Sequence, residues 1–164
     1  VEGLGETWSV ELWFRNALPN TDRPVTAYLV SRGPDGAEGA PGGHLGIGGT
    51  HMAPGRLFFF NGNRLNETVV GVSQVPPNTW NHAVLVRDRK SVRIYLNGRT
   101  APEAEGQAEV APESATSDLF VGGRNDNFAN LQGAVEDVSV YDRVLKPEEI
   151  AAHFAAMRMD GRQP

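Results

Sequence analysis

The chain has no cysteine among its 164 residues. That absence excludes a disulfide framework, a thiolate metal site and a cysteine nucleophile. Basic residues are in deficit: 15 Lys and Arg against 20 Asp and Glu leave a formal charge of −5. Nonspecific nucleic-acid binding and adsorption to an anionic membrane both need a net basic surface, so neither is expected. No run approaches the roughly 18 consecutive apolar residues of a membrane-spanning helix. Neither an initiator methionine nor a signal peptide precedes Val1, and the chain is expected to be a mature or excised fragment. The local signatures G-x-S-x-G and H-E-x-x-H are absent as well, which removes the sequence marks of a serine hydrolase and a zinc protease.

Turn chemistry is what the chain has in quantity. Its 19 glycines and 11 prolines carry no G-x-y period, arguing against both collagen and a helical bundle. Between the turns the dominant period is two. In Thr7–Arg15, Trp8, Val10, Leu12 and Phe14 fall on one face, and Ser9, Glu11, Trp13 and Arg15 on the other. That alternation predicts a half-buried strand. Val25–Ser31, Arg56–Phe60, Thr68–Val75, Asn81–Arg87, Ser91–Leu96, Asp118–Val121 and Ala134–Tyr141 read the same way, each bounded by turn formers. Asn61-Gly62 and Asn97-Gly98 are hairpin signals, because both central residues of a type I′ turn need positive φ.

Three stretches break the rhythm. Residues 33–49 are glycine-rich and predict a long loop around a short strand at His44–Ile47. Pro102–Ser117, rich in Pro, Ala and Glu, reads as a surface excursion. At Leu145–Met157 the period changes: Ile150, Phe154 and Met157 are helically spaced, Pro147 suits the first turn, and Glu148 and Glu149 suit the positive end of the helix dipole. The pattern predicts one all-β domain over residues 1–164 with a short C-terminal helix near residues 147–157.

Several blocks, in order, resemble the laminin-G-like modules of the concanavalin A-like lectin/glucanase superfamily. Trp8-Ser9-Val10-Glu11-Leu12-Trp13-Phe14 is similar to the first strand of that family. Trp80-Asn81-His82-Ala83-Val84, Val92-Arg93-Ile94-Tyr95-Leu96-Asn97-Gly98, Leu119-Phe120-Val121-Gly122-Gly123 and Gly133–Tyr141 resemble its later strands, and Leu145–Ile150 its closing segment. The resemblance implies a jelly-roll sandwich of two antiparallel sheets. It implies no single activity, because that fold hosts lectins, glycosidases, adhesion modules and spacers.

Catalysis is not expected. Retaining glycosidases of the fold resemble one another in an E-x-D-x-(x)-E strand, and glycoside cleavage needs two carboxyl groups about 5–5.5 Å apart. Glu136 and Asp137 are adjacent, so a strand sends them to opposite faces, with Ser139 on the face of Asp137. Calcium is the candidate cofactor, since the resemblance implies an oxygen-ligand site at the sandwich rim. Its candidate ligands are Asn125, Asp126, Asn127 and Glu136, a fit for an ion that takes six to eight oxygens at about 2.3–2.6 Å. Asn125, Asp126 and Asn127 are equally ordinary turn formers, and that reading outweighs the metal.

A sugar site needs an aromatic platform and fixed polar groups. The candidates are Trp13, which lies among polar neighbours, and His44, His51, Asn61, Asn63 and Arg64. Against this stands a Trp13 packed under a loop or the helix, which the usual burial of tryptophan favours. Trp8 and Trp80 are assigned to the core or strand ends, and His82 to a satisfied sheet-face position. Leu57-Phe58-Phe59-Phe60 puts aromatics on both faces of one strand, where a core role outweighs an exposed patch. Asn66-Glu67-Thr68 is a glycosylation sequon. The expectation is a noncatalytic binding or accessory module of a larger extracytoplasmic protein (secreted, periplasmic or cell-surface), recognising a glycan or a protein surface. A structural spacer is the first alternative, and a glycosidase-like enzyme is the disfavoured one.

Overall fold

A computed structural model describes residues 4–33, 42–62, 64–110 and 118–158 of the chain. Along these residues run β1 (Thr7–Asn16), β2 (Val25–Arg32), β3 (Gly43–Gly49), β4 (Met52–Asn61) and β5 (Arg64–Val70). They are followed by β6 (Trp80–Asp88), β7 (Ser91–Leu96), β8 (Ala104–Gln107), β9 (Leu119–Val121), β10 (Gly133–Tyr141) and α1 (Pro147–Arg158). The strands form two antiparallel five-stranded sheets. Sheet A has the order β10-β1-β6-β7-β8 and sheet B the order β5-β4-β3-β2-β9. This is the expected jelly-roll sandwich with one C-terminal helix.

The period of two decides which side chains meet. Val10, Leu12 and Phe14 of β1 join Ala83, Leu85, Val92, Ile94 and Leu96 of sheet A in one core with Leu29, Leu45, Ile47, Leu57 and Phe59 of sheet B. Burying each larger aliphatic or aromatic side chain contributes roughly 1.5–3 kcal/mol. The other parity of sheet A turns outward, where Val84, Val86 and Tyr95 pack with Leu145 and Ile150. The helix therefore covers the outer face of sheet A.

Four details differ from the sequence reading. The strand expected over Thr68–Val75 is β5, which ends at Val70 because the next residues bond elsewhere. The Glu103 carboxylate accepts the backbone N–H groups of Val72 (2.7 Å) and Ser73 (2.5 Å) and folds them into a turn. Strand β8 lies inside the expected surface excursion, pairing with β7. Its Ala-Glu-Gly-Gln sequence has no apolar alternation to reveal it. At Asn61-Gly62 the turn is displaced by one residue: Asn61 still pairs with Arg64, and Gly62 has φ of 60°. Asn97 and Gly98 do take positive φ, 53° and 68°.

The fourth difference concerns the carboxylates. Glu11 pairs with Ser139, but Trp13 pairs with Glu136, so three steps on β10 answer two on β1. Asp137, with φ of 51°, sits in this bulge. An extra residue resets strand parity. The alternation expected across Glu136, Asp137 and Ser139 is therefore broken, and Glu136 lies opposite Trp13.

Gly46 tests the packing of sheet B. It pairs with both Tyr28 and Phe58, and a Cβ there would stand 2.7 Å from the Ala27 carbonyl oxygen and 2.7 Å from the Phe58 ring. Gly46→Ala is expected to lose roughly 1–3 kcal/mol, read as a lower urea midpoint. An unchanged midpoint would contradict this packing.

Candidate functional site

The two outer faces of the sandwich have different chemistry. On sheet A a carboxylate organises the surface. Glu11 is fully buried and accepts hydrogen bonds on both oxygens. His82 Nε2 lies 2.7 Å from Oε1, while His153 Nδ1 at 2.9 Å and the Tyr141 hydroxyl at 3.0 Å reach Oε2. Burial pushes the Glu11 carboxyl up, but the hydrogen bonds and charges of His82 and His153 outweigh it and hold the group below its ordinary value of 4.5. Beside it the Trp13 ring stacks on Phe154 at 5.4 Å and 7° between planes. Its Nε1–H donates to the Met157 sulfur at 2.8 Å.

Sheet B presents an aromatic face with unsatisfied polar atoms in its middle. Cross-strand pairing sets Phe60, His44, Ser31 and Phe120 in one row across β4, β3, β2 and β9. His44 and Ser31 are each 1% exposed. Neither ring nitrogen of His44, nor the Ser31 hydroxyl, has a hydrogen-bond partner. Such buried groups carry a penalty of roughly 1–3 kcal/mol each until something satisfies them. Tyr28 meets His44 edge-on at 5.8 Å and Phe58 at 5.7 Å, while the Phe60 ring lies 6.0 Å from His44. Burial, reinforced by the charge of Arg124, pushes the His44 imidazole down to about 4, so the ring is neutral at pH 7.

Arg124 and Phe128 come from the loop that follows β9. The Arg124 guanidinium lies over the rings of Tyr28 (4.9 Å) and Phe128 (5.1 Å). Its Nη1 donates to the Tyr28 hydroxyl at 3.2 Å, and its Nη2 to Asp126 Oδ2 at 2.5 Å. Burial alone would lower its pKa; Asp126 and Tyr28 raise it, so it stays a cation. Phe128 is 45% exposed at the edge of the patch.

The sequence candidates separate onto different parts of the molecule. Trp13 is fully buried beneath α1, its ring face taken by Phe154, so it offers no platform to a ligand there. His44 lies at the centre of the sheet B patch. His51 is exposed in the turn between β3 and β4. Asn61 is fully buried, its Nδ2 donating to Glu67 and, at 3.3 Å, to the Glu109 carbonyl. Asn63 lies outside the described residues, and Arg64 is placed only by its backbone in β5.

The calcium candidates come from two elements. Asn125, Asp126 and Asn127 follow β9 on the sheet B side, whereas Glu136 is on β10 at the edge of sheet A. Asp126 is engaged by Arg124 and by the Phe128 N–H at 2.9 Å, the local turn that aspartate favours. No group of three or more His, Asp or Glu that could hold a metal is found among the described residues. A cation taken up at Asp126 would have to compete with the Arg124 guanidinium.

Tyr28, Ser31, Arg124 and Phe128 were not singled out in the sequence. The aromatic run Leu57–Phe60 was the available signal: Phe59 faces the core, while Phe58 and Phe60 take the outer parity.

Comparison with known proteins gives a consistent picture of the fold. The sequence profile described as concanavalin A-like lectin/glucanases superfamily matches residues 3–151. Among solved structures, domain 4 of the GH43 extracellular arabinanase AbnA of Geobacillus stearothermophilus, in complex with arabinotriose, superposes with a TM-score of 0.65 at 16% identity. The alignment covers 90% of this chain and 66% of that one. The CBM40 of the Ruminococcus gnavus IT-sialidase, bound to α2,3-sialyllactose, gives 0.66 at 19% identity, covering 91% and 83%. A SAP-like pentraxin of Limulus polyphemus gives 0.63 at 14%, covering 89% and 68%.

Glu11 makes a pH prediction whose sign is fixed by its environment. A carboxyl held below 4.5 in the folded state contributes stability that is full above that value and is lost as pH falls through the folded pKa. Glu11→Gln is expected to flatten this acid limb of a stability-versus-pH curve measured by thermal unfolding. It should also cost roughly 1–3 kcal/mol at neutral pH, because donors lose a charged acceptor. A variant with the wild-type acid limb would refute the assignment.

Proposed function

The chain belongs to the concanavalin A-like lectin/glucanases superfamily, and from that premise we propose that it is a noncatalytic carbohydrate-binding or accessory module. It serves a larger extracytoplasmic protein and takes its ligand on the outer face of sheet B. The observation that carries this reading is the Phe60–His44–Ser31–Phe120 row, where buried donors and acceptors without partners lie among aromatic rings. Aromatic faces suit the apolar face of a sugar ring, and a few fixed polar groups orient it. The opposite face is closed by α1 over Glu11 and Trp13. The carbohydrate complexes of the arabinanase domain and of CBM40 support a binding role for the same fold.

The carboxylates support the noncatalytic reading. Cleavage needs two carboxyl groups about 5–5.5 Å apart in a cleft, or somewhat further for inversion. Glu11 is buried under α1 with histidine and tyrosine partners, and Asp126 is held by Arg124. Among the described residues no helix is long and apolar enough to cross a membrane, which leaves the extracytoplasmic placement as part of the proposal.

A glycan array followed by calorimetry tests the reading. Wild-type protein is expected to bind an oligosaccharide without releasing reducing sugar. Phe128→Ala, at the exposed edge of the patch, should weaken it roughly 3- to 10-fold, and Glu148→Gln on α1 should leave it unchanged. EDTA is expected to leave the affinity unchanged; a loss on chelation would bring calcium, through Asn125, Asp126 and Asn127, into the site. A folded protein with no hit, or one that liberates sugar, would overturn the reading.

A further inference from the structure

We propose, resting on the glycan reading above, that the His44–Ser31 position takes an uncharged sugar ring through paired hydroxyl groups rather than an acidic sugar through its carboxylate. The donor and acceptor inventory decides between them. A neutral imidazole offers one N–H donor and one acceptor nitrogen, and a serine hydroxyl offers a donor and lone pairs. Both His44 nitrogens and the Ser31 oxygen are buried without hydrogen-bond partners, and the two residues are direct cross-strand neighbours. Sugar hydroxyls donate and accept, so two of them can satisfy all of these atoms. A carboxylate only accepts; set here, it would leave the acceptor nitrogen facing another oxygen.

Charge points the same way. A sialic or uronic acid needs a cation free to pair with it, and among the described side chains the cation seen at this patch is Arg124. Its guanidinium is bridged to Asp126 and donates to the Tyr28 hydroxyl, so the Arg124–Asp126 pair brings no net charge. The His44 ring, held neutral by burial, adds none. Arg56 is the next cation along β4 and lies four residues from Phe60, ~13 Å away at the rise of a strand. It is out of reach of a ring seated on His44. Among the described residues the rings nearest His44 are Tyr28 and Phe60. An arriving sugar must turn one of them aside, which makes the His44 ring a direct reporter of occupancy.

The test uses the full chain and two sets of probes: neutral hexose and pentose oligosaccharides, and sialylated or uronic-acid oligosaccharides. Affinities come from calorimetry at low and high salt, and the His44 ring nitrogens are followed by NMR in wild-type protein. Neutral probes are expected to bind with little salt dependence and to shift the His44 ring resonances. Ser31→Ala should weaken them several-fold, and His44→Phe, which suits the aromatic surroundings, roughly tenfold or more. Preference for acidic probes with salt-sensitive affinity would overturn this inference and leave the glycan reading standing. Neutral binding that leaves both the His44 resonances and the Ser31→Ala affinity unmoved would also overturn it. No binding of either set would remove the glycan reading along with it.

Discussion

A carboxylate placed beyond the reach of water organises much of this molecule. Isolated, the Glu11 charge would be costly to bury. Donors from three elements close around it: His82 from β6, Tyr141 from β10 and His153 from α1. Hydrogen bonds to a charged group contribute roughly 1.5–3 kcal/mol each, enough to offset the loss of hydration where apolar contact alone would not. The same arrangement fixes the position of α1. Its apolar residue Ile150 packs with Val84, Val86 and Tyr95, while Phe154 stacks on Trp13. Sheet A is thereby covered by α1 on its outer side.

The outer face of sheet B is the chemical opposite. There His44 and Ser31 lie unsatisfied among the rings, whereas beside Glu11 the unpartnered atom is His82 Nδ1. His44 and Ser31 carry a desolvation cost that nothing within the described protein recovers, in contrast to the fully bonded carboxylate of Glu11. Arg124 is flanked by Tyr28 and Phe128 and bridged to Asp126, so its charge is already paired at the patch. Protein cores tolerate few such unsatisfied groups, and their grouping on one row invites a functional reading.

Much of the architecture was legible in the alternation of β1, the helical spacing of Ile150, Phe154 and Met157, and the positive φ that Asn97-Gly98 requires. The parity of β1 placed Glu11 and Trp13 correctly on the side away from the core. What covered them could not be read, because their partners are 71 to 144 positions away. The His44–Ser31 row was hidden for the same reason: register is a relation between strands, and neither residue carries a local mark of it. Strand β8 escaped because its four residues show no apolar alternation, with Ala104 its one hydrophobic side chain in the core. The bulge at Asp137 escaped because one inserted residue leaves the composition of a strand unchanged while reversing its faces.

That bulge has a bearing on how the protein lives in solution. Strand β10 is at the edge of sheet A, and the free side of an edge strand is a template on which another chain can add. Asp137, in a left-handed conformation with φ of 51°, interrupts the straight run of donors and acceptors such a guest would need, and the exposed Glu136 and Asp137 set charge beside the break. The feature that undid a parity argument about carboxylates thus also guards the sandwich against edge-to-edge aggregation.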